Sequence, residues 1–161
     1  MSIWESNGKS SEWYTPKYVF DALGCEFDMD VAAAPEGMGH VPAKKFLRSY
    51  PNDKWEGFIW CNPPWSGRGA KMPWIKDNVK HRNGILLTPD RTSVDWWQLC
   101  AHECDRFLLV LGKIKFIPGV GNDQNWKQPG NGTTLFAFGT TAVNALHLGE
   151  SNGLGLSFKR F

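Results

Sequence analysis

Trp55–Gly67 reads WEGFIWCNPPWSG, an apolar run that passes straight into an amide, two prolines and an aromatic. Phe58 to Cys61 is apolar at every position, so both faces need cover, as in a central strand of a parallel sheet. The next residues cannot continue that strand. Pro63 and Pro64 have no N–H to give a neighbour, and Pro64 restricts the residue before it to extended backbone. Asn62 and Pro63 therefore leave the strand as a rigid pair of acceptors, one a side-chain oxygen and one a main-chain carbonyl. Two fixed acceptors suit an amino group. Trp65 beside them offers a face for a flat ring, a stacking contact worth about 1–3 kcal/mol. The stretch reads as a site for a planar group carrying an exocyclic amine; a Pro-Pro that merely turns the chain is the plain alternative.

Working outward, the pattern predicts an α/β layered fold whose parallel sheet is finished by antiparallel strands at one edge. TPKYVFDALG starts with Thr15 as N-cap and Pro16 at the first helical position, carries Val19, Phe20 and Leu23 on one face, and stops at Gly24. CEFDMDVAAA comes next as a strand, then a turn-rich connection with one helical turn around Ala43 to Leu47. KMPWIKDNVKHR has Trp74, Ile75 and Val79 at helical spacing, GILLTP is a second doubly apolar strand, and TSVDWWQLCAHEC is a helix capped by Thr92 or Ser93. RFLLVL, KIKFI and TTLFAFG supply the late strands. Ala142 to Leu148 reads equally as helix or strand, and the tail as weakly structured. Residues 1–12 read as an irregular lead-in and 118–132 as a long loop, within one domain spanning 1–161 and with no separate recognition domain.

Ligands of open parallel sheets bind beyond the carboxyl ends of the strands. Three exits matter. One carries Asp30 and three alanines where the backbone can approach a ligand closely; one carries Asn62 to Trp65; one carries Asp90 and Arg91. Asp30 serves as well as an ordinary strand-end acid, and Asp90 with Arg91 as an internal ion pair. With both hydrogens of an amine engaged by acceptors, its lone pair leaves conjugation with the ring and attacks an electrophile. A methylsulfonium donor then gives in-line methyl transfer without a strong general base.

Charge narrows the partners. Against 18 Lys+Arg stand 16 Asp+Glu, a formal charge of only +2, so a general polycation argument for nucleic acid fails and any such binding is local. No apolar run reaches about 18 residues and the start has no apolar leader segment, which predicts a soluble, cytoplasmic chain without a membrane. The four cysteines form no CxxC pair, and His102 faces away from Cys100 and Cys104 on a helix, so no metal is expected.

CNPPWS resembles the motif of amino-methyltransferases that use S-adenosylmethionine. The wider pattern resembles the phage-encoded DNA N-6-adenine methyltransferases, the Dam-like phage family. EWYTPKYVFDALGCEFDMDVAAAPE resembles that family's opening block, WEGFIWCNPPWS its catalytic block, and ILLTPDRTSVDWW, LLVLGKIKFIPG and TTLFAFG its later strands, together covering most of Trp13 to Gly139. The resemblance implies a Rossmann-like S-adenosylmethionine-dependent methyltransferase fold, with Asn62, Pro63, Pro64 and Trp65 at a flipped target adenine and S-adenosylhomocysteine as product. It implies Thr15, Pro16, Asp30 and Ala32 at the donor, although no GxG comes after the first strand, and it makes Trp65 a replacement for the commoner Tyr. Asp53 either holds the donor's adenosine or sits in a solvated turn. DNA contacts are expected from Arg68 with Lys71, from Arg91, and from Trp126 and Lys127 in the long loop, with further basic clusters at Lys44, Lys45 and Arg48 and at Lys113 and Lys115. The motif also permits N4-cytosine or RNA methylation, and an inactive module of the same fold that only binds nucleic acid or donor.

Overall fold

The structure is a computed structural model and describes residues 12–51, 54–65, 71–119 and 130–159. In chain order the elements are β1 (Trp13–Tyr14), α1 (Lys17–Leu23), β2 (Phe27–Asp30), β3 (Ala43–Phe46), β4 (Ile59–Cys61), α2 (Met72–His81) and β5 (Gly84–Pro89). They continue with α3 (Asp95–Glu103), β6 (Arg106–Val110), β7 (Ile117–Pro118), β8 (Thr133–Phe138), α4 (Thr140–Ser151) and β9 (Gly155–Lys159). Among the described residues this is a mixed α/β architecture with a seven-stranded sheet ordered β3-β2-β4-β5-β8-β6-β9. The first four strands run parallel. β8 enters antiparallel between β5 and β6, and β9 closes the far edge antiparallel to β6.

Side-chain alternation explains the layers. Ile85 and Leu87 of β5, Leu135 and Ala137 of β8 and Trp60 of β4 face one side, where Phe20 and Leu23 of α1 and Leu146 of α4 cover them. Leu86, Phe136, Ile59 and Cys61 face the other, beneath Trp74 and Ile75 of α2 and Trp97 and Cys100 of α3. Both faces are thus apolar, as the unbroken runs demand. Ile59, Ile85, Leu86 and Leu87 are at most 1% exposed, each contributing about 1.5–3 kcal/mol, so the carboxyl edge of β4 rests on the best-buried part of the sheet.

Several local expectations are corrected. α1 buries Val19, Phe20 and Leu23 as expected and ends at Gly24 in the left-handed conformation, φ 60°, whose N–H reaches the Phe20 carbonyl at 2.9 Å. It starts one residue later than the pattern predicts, and the Thr15 side chain does not cap it. The helical turn expected at Ala43 to Leu47 is instead strand β3, paired in parallel with β2. Neither Thr92 nor Ser93 caps α3, whose N-cap is Val94. Of KIKFI only Ile117 joins a strand, in the small ribbon of β7 with β1. Ala142 to Leu148 lies within helix α4, and the tail forms strand β9. Most of the lead-in and of the long loop lie outside the described residues. No helix among the described residues is long and apolar enough to cross a membrane.

Candidate active site

The chain goes from β2 out to β3, then crosses back to β4 and on to β5, so the direction of winding reverses between β2 and β4. At such a switch point the two strand exits diverge and leave a crevice beyond their carboxyl ends. Backbone hydrogen bonds fix its walls: Val31 N–H to Trp60 carbonyl at 3.0 Å, Leu47 N–H to Asp30 carbonyl at 2.9 Å, and Ala33 N–H to Leu47 carbonyl at 2.9 Å. Ala32 and Ala33 after β2 and Asn62 to Trp65 after β4 line it, together with Trp13 and Tyr14 of β1 and with Arg48, Tyr50 and Trp74. The Tyr50 and Trp74 rings stack at 3.9 Å. The crevice is open to solvent and has a volume of about 200 Å³, below the roughly 300–1,000 Å³ of common ligand pockets.

Asn62 is held at both ends of its amide. Its Nδ2 donates to the Trp13 carbonyl at 2.9 Å and to Thr15 Oγ1 at 3.3 Å, and its Oδ1 accepts from the Trp65 indole at 3.0 Å. A carbonyl can only accept and an indole N–H can only donate, so the amide has one satisfactory orientation, with its oxygen on the Trp65 side. Thr15, only 3% exposed, spends its hydroxyl on this amide. β1 is positioned for the purpose by β7, whose Pro118 and Ile117 pair with Trp13 and Tyr14. Pro63 is buried and Pro64 exposed. The Trp65 ring meets Phe116 edge-on, centroids 4.9 Å apart at 76°.

Asp30 is 4% exposed at the end of β2, beneath the lining residue Ala32 from whose N–H it accepts, and does not itself line the crevice. Burial pushes its carboxyl from the ordinary 3.8 up to about 7, against a smaller downward pull from the Ala32 N–H, 3.2 Å from Oδ1, and from the Arg48 charge. The ionised form is therefore costly here until a cation arrives.

The remaining expected residues divide. Lys71 is 8% exposed at the N-cap of α2; its ammonium donates to the Trp65 carbonyl and lies 5.8 Å over the Trp96 ring. Such a lysine braces the Asn-Pro-Pro-Trp segment from within. Arg91 is partly exposed in the turn between β5 and α3. Asp90 accepts from the Thr134 hydroxyl, which accepts in turn from the Trp97 indole at 3.1 Å, so the carboxylate belongs to a side-chain chain of hydrogen bonds. Lys44 pairs with Asp28 at 2.9 Å, and the Arg48 Nε–H reaches the Ala34 carbonyl at 3.0 Å. Asp53, Arg68, Trp126 and Lys127 lie outside the described residues, among which no cluster could hold a metal ion. Sequence reasoning missed the Trp13 carbonyl, Tyr50, Trp74 and Phe116. A main-chain carbonyl carries no residue signal, though the Trp13-Tyr14 pair ahead of Thr15-Pro16 marks the place.

The structure thus brings a locked amide, a proline and a buried acid to neighbouring strand exits at the switch point of an open α/β sheet. Residues 5–145 match the model of the family described as DNA N-6-adenine-methyltransferase (Dam), and the chain belongs to that family. No curated protein and no solved structure matches it.

Proposed function

We propose that the protein transfers a methyl group from S-adenosylmethionine to the N6 amine of an adenine flipped out of DNA, on a Rossmann-like methyltransferase fold. The observation that carries the reading is the Asn62 amide at the crevice wall, fixed by Trp13, Thr15 and Trp65 with its oxygen on the Trp65 side. Beside it the Pro63 carbonyl is the second acceptor. An amine that donates to both keeps its lone pair free of the ring, and the pair points away from the acceptors toward the crevice. Its surplus proton leaves with solvent after transfer, since nothing in the chemistry requires a strong base.

The residues opposite fit the donor. The bound donor supplies an electrophilic methyl on a positively charged sulfur. Ala32 and Ala33 keep the β2 exit low enough for close approach, and Asp30 is a buried carboxyl whose ionisation a cation would favour. Thr15 and Pro16, next in the chain to the lining residues Trp13 and Tyr14, are proposed at the donor. Asp53 is proposed at the donor's adenosine end. Lys71 keeps Trp65 in register through its backbone, while Arg68, Arg91, Trp126 and Lys127 are proposed on the DNA path. Flipping exposes the amine, which is out of reach inside the duplex, and Trp65 receives the flipped base.

Purified protein is incubated with unmethylated DNA and S-adenosylmethionine, and the nucleosides are read by mass spectrometry beside Asn62→Ala. N6-methyladenine from the parent alone is the expected result; N4-methylcytosine instead would move the target, and no methylated base would refute the transfer. DNA affinity should also fall with salt, with a log–log slope of about 0.9 per phosphate neutralised.

A further inference from the structure

We propose that the Trp65 indole is a stand-in for the target amine: it occupies the Asn62 acceptor while the crevice is empty and yields it when a base enters. The inference rests on Asn62 being the amine acceptor of the proposed transfer. Three observations lead to it. The indole N–H lies 3.0 Å from Asn62 Oδ1, where a planar aromatic amine would place its own hydrogen. The crevice measures about 200 Å³, below the range of common ligand pockets, with Trp65 among its lining residues. Trp65 is also only partly buried, at the margin of the core, where its ring meets the edge of Phe116 at 4.9 Å.

The two ends of the amide then have different jobs. The Trp13 carbonyl and the Thr15 hydroxyl grip Nδ2 from the buried side and stay in place. The indole on Oδ1 completes the amide's hydrogen bonding, so the acceptor is neither exposed to water nor free to flip while it waits. When the ring swings aside, its backbone stays tethered, because Lys71 holds the Trp65 carbonyl. One neutral hydrogen bond is exchanged for another at the same oxygen, and stacking of the base on the freed ring tips the balance. Trp65 thereby acts as a positioning residue through Asn62 as well as a stacking surface, a role that a Phe side chain, without a donor, could not fill.

A double-mutant cycle tests this. Binding of a fluorescent oligonucleotide with one unpaired adenine is measured by anisotropy for the parent, Trp65→Phe, Asn62→Ala and the double variant. Phe keeps a stacking face and removes the competing N–H. Relative to its effect in the Asn62→Ala background, Trp65→Phe should favour binding by about 2- to 10-fold. In the parent, the Trp65 indole ¹H–¹⁵N resonance should move on adding the same oligonucleotide and should already be displaced in Asn62→Ala. Additive effects in the cycle, or an indole resonance indifferent to the oligonucleotide, overturn the displacement and leave the transferase reading standing. Coupling without any methyl transfer by the parent refutes that reading and leaves the displacement standing. No binding by any of the four proteins overturns both.

Discussion

The two strand exits that face each other across the crevice are built on opposite principles. At the β4 exit the polar side chain is neutral and satisfied: Asn62 has partners at both ends of its amide, and the prolines carry no N–H that would need one. At the β2 exit a carboxyl is buried with one hydrogen bond to its own turn, so its charge is held at a disadvantage. The first wall is organised by geometry before any ligand arrives. The second stores an unfavourable ionisation that a cation can relieve. In the proposed reaction one side orients the amine while the other favours the positively charged donor, and removing either should damage a different step.

The largest effect is expected at the β4 exit. Asn62→Ala should lower kcat for methyl transfer by about 10²-fold or more while leaving donor affinity within a few-fold, measured by single-turnover kinetics and calorimetry. A collapse of donor binding in that variant would erase the contrast between the walls. Next is Asp30→Asn, which removes the carboxylate while keeping its shape. Donor affinity should fall by about 10- to 100-fold, the range for losing a hydrogen-bonded charge, with a smaller change in the DNA Kd.

A third prediction separates Asp30 by pH. Between about 4 and about 7 the folded chain keeps a proton on Asp30 that the unfolded chain has lost, so this group's contribution to stability is complete below that window and disappears as pH rises through it. Urea unfolding at pH 5 and pH 8 should show a loss on the order of a few kcal/mol in the parent relative to Asp30→Asn. Donor affinity should move the other way, rising as pH passes about 7 in the parent and staying flat in the variant. Equal slopes in the two proteins would mean that Asp30 is ionised throughout.

The smallest effect sharpens the corner between the walls. Thr15→Val removes one of two bonds on Asn62 Nδ2 and should lower kcat by about 2- to 10-fold, with Thr15→Ser restoring it. A raised KM for the donor at unchanged kcat would assign the Thr15 hydroxyl to the donor side instead.

How far these walls could be read in advance differs with the kind of signal. Phe58 to Cys61, GILLTP and TTLFAFG announce themselves because a strand buried on both faces is largely apolar, and helix α2 because Trp74, Ile75 and Val79 fall at helical spacing. β3 gives no such signal. It is an edge strand with Lys44, Lys45 and Phe46 all exposed, so its sequence is shaped by solvent and only pairing with β2 makes it a strand. β9 is the same case at the other edge, with Leu156 and Phe158 exposed. Thr15 shows how a local rule is overridden: Thr-Pro is good N-cap chemistry, yet the hydroxyl is more valuable to the Asn62 amide, a partner 47 residues away. Lys71 reads as a surface cation and is buried, because the Trp65 carbonyl needs a donor.

Sequence alone therefore determined the layered α/β class and singled out Asn62 to Trp65 and Asp30 as candidates at two strand exits, since covalent limits of proline, acceptor inventory and apolar runs act through neighbours in the chain. Tertiary structure alone decided which way the Asn62 amide faces, that Trp65 sits on its oxygen, and how far burial raises the Asp30 carboxyl. Those properties depend on atoms brought together from β1, β2, β4 and the N-terminus of α2, and distance in space is the one quantity a chain of letters does not hold.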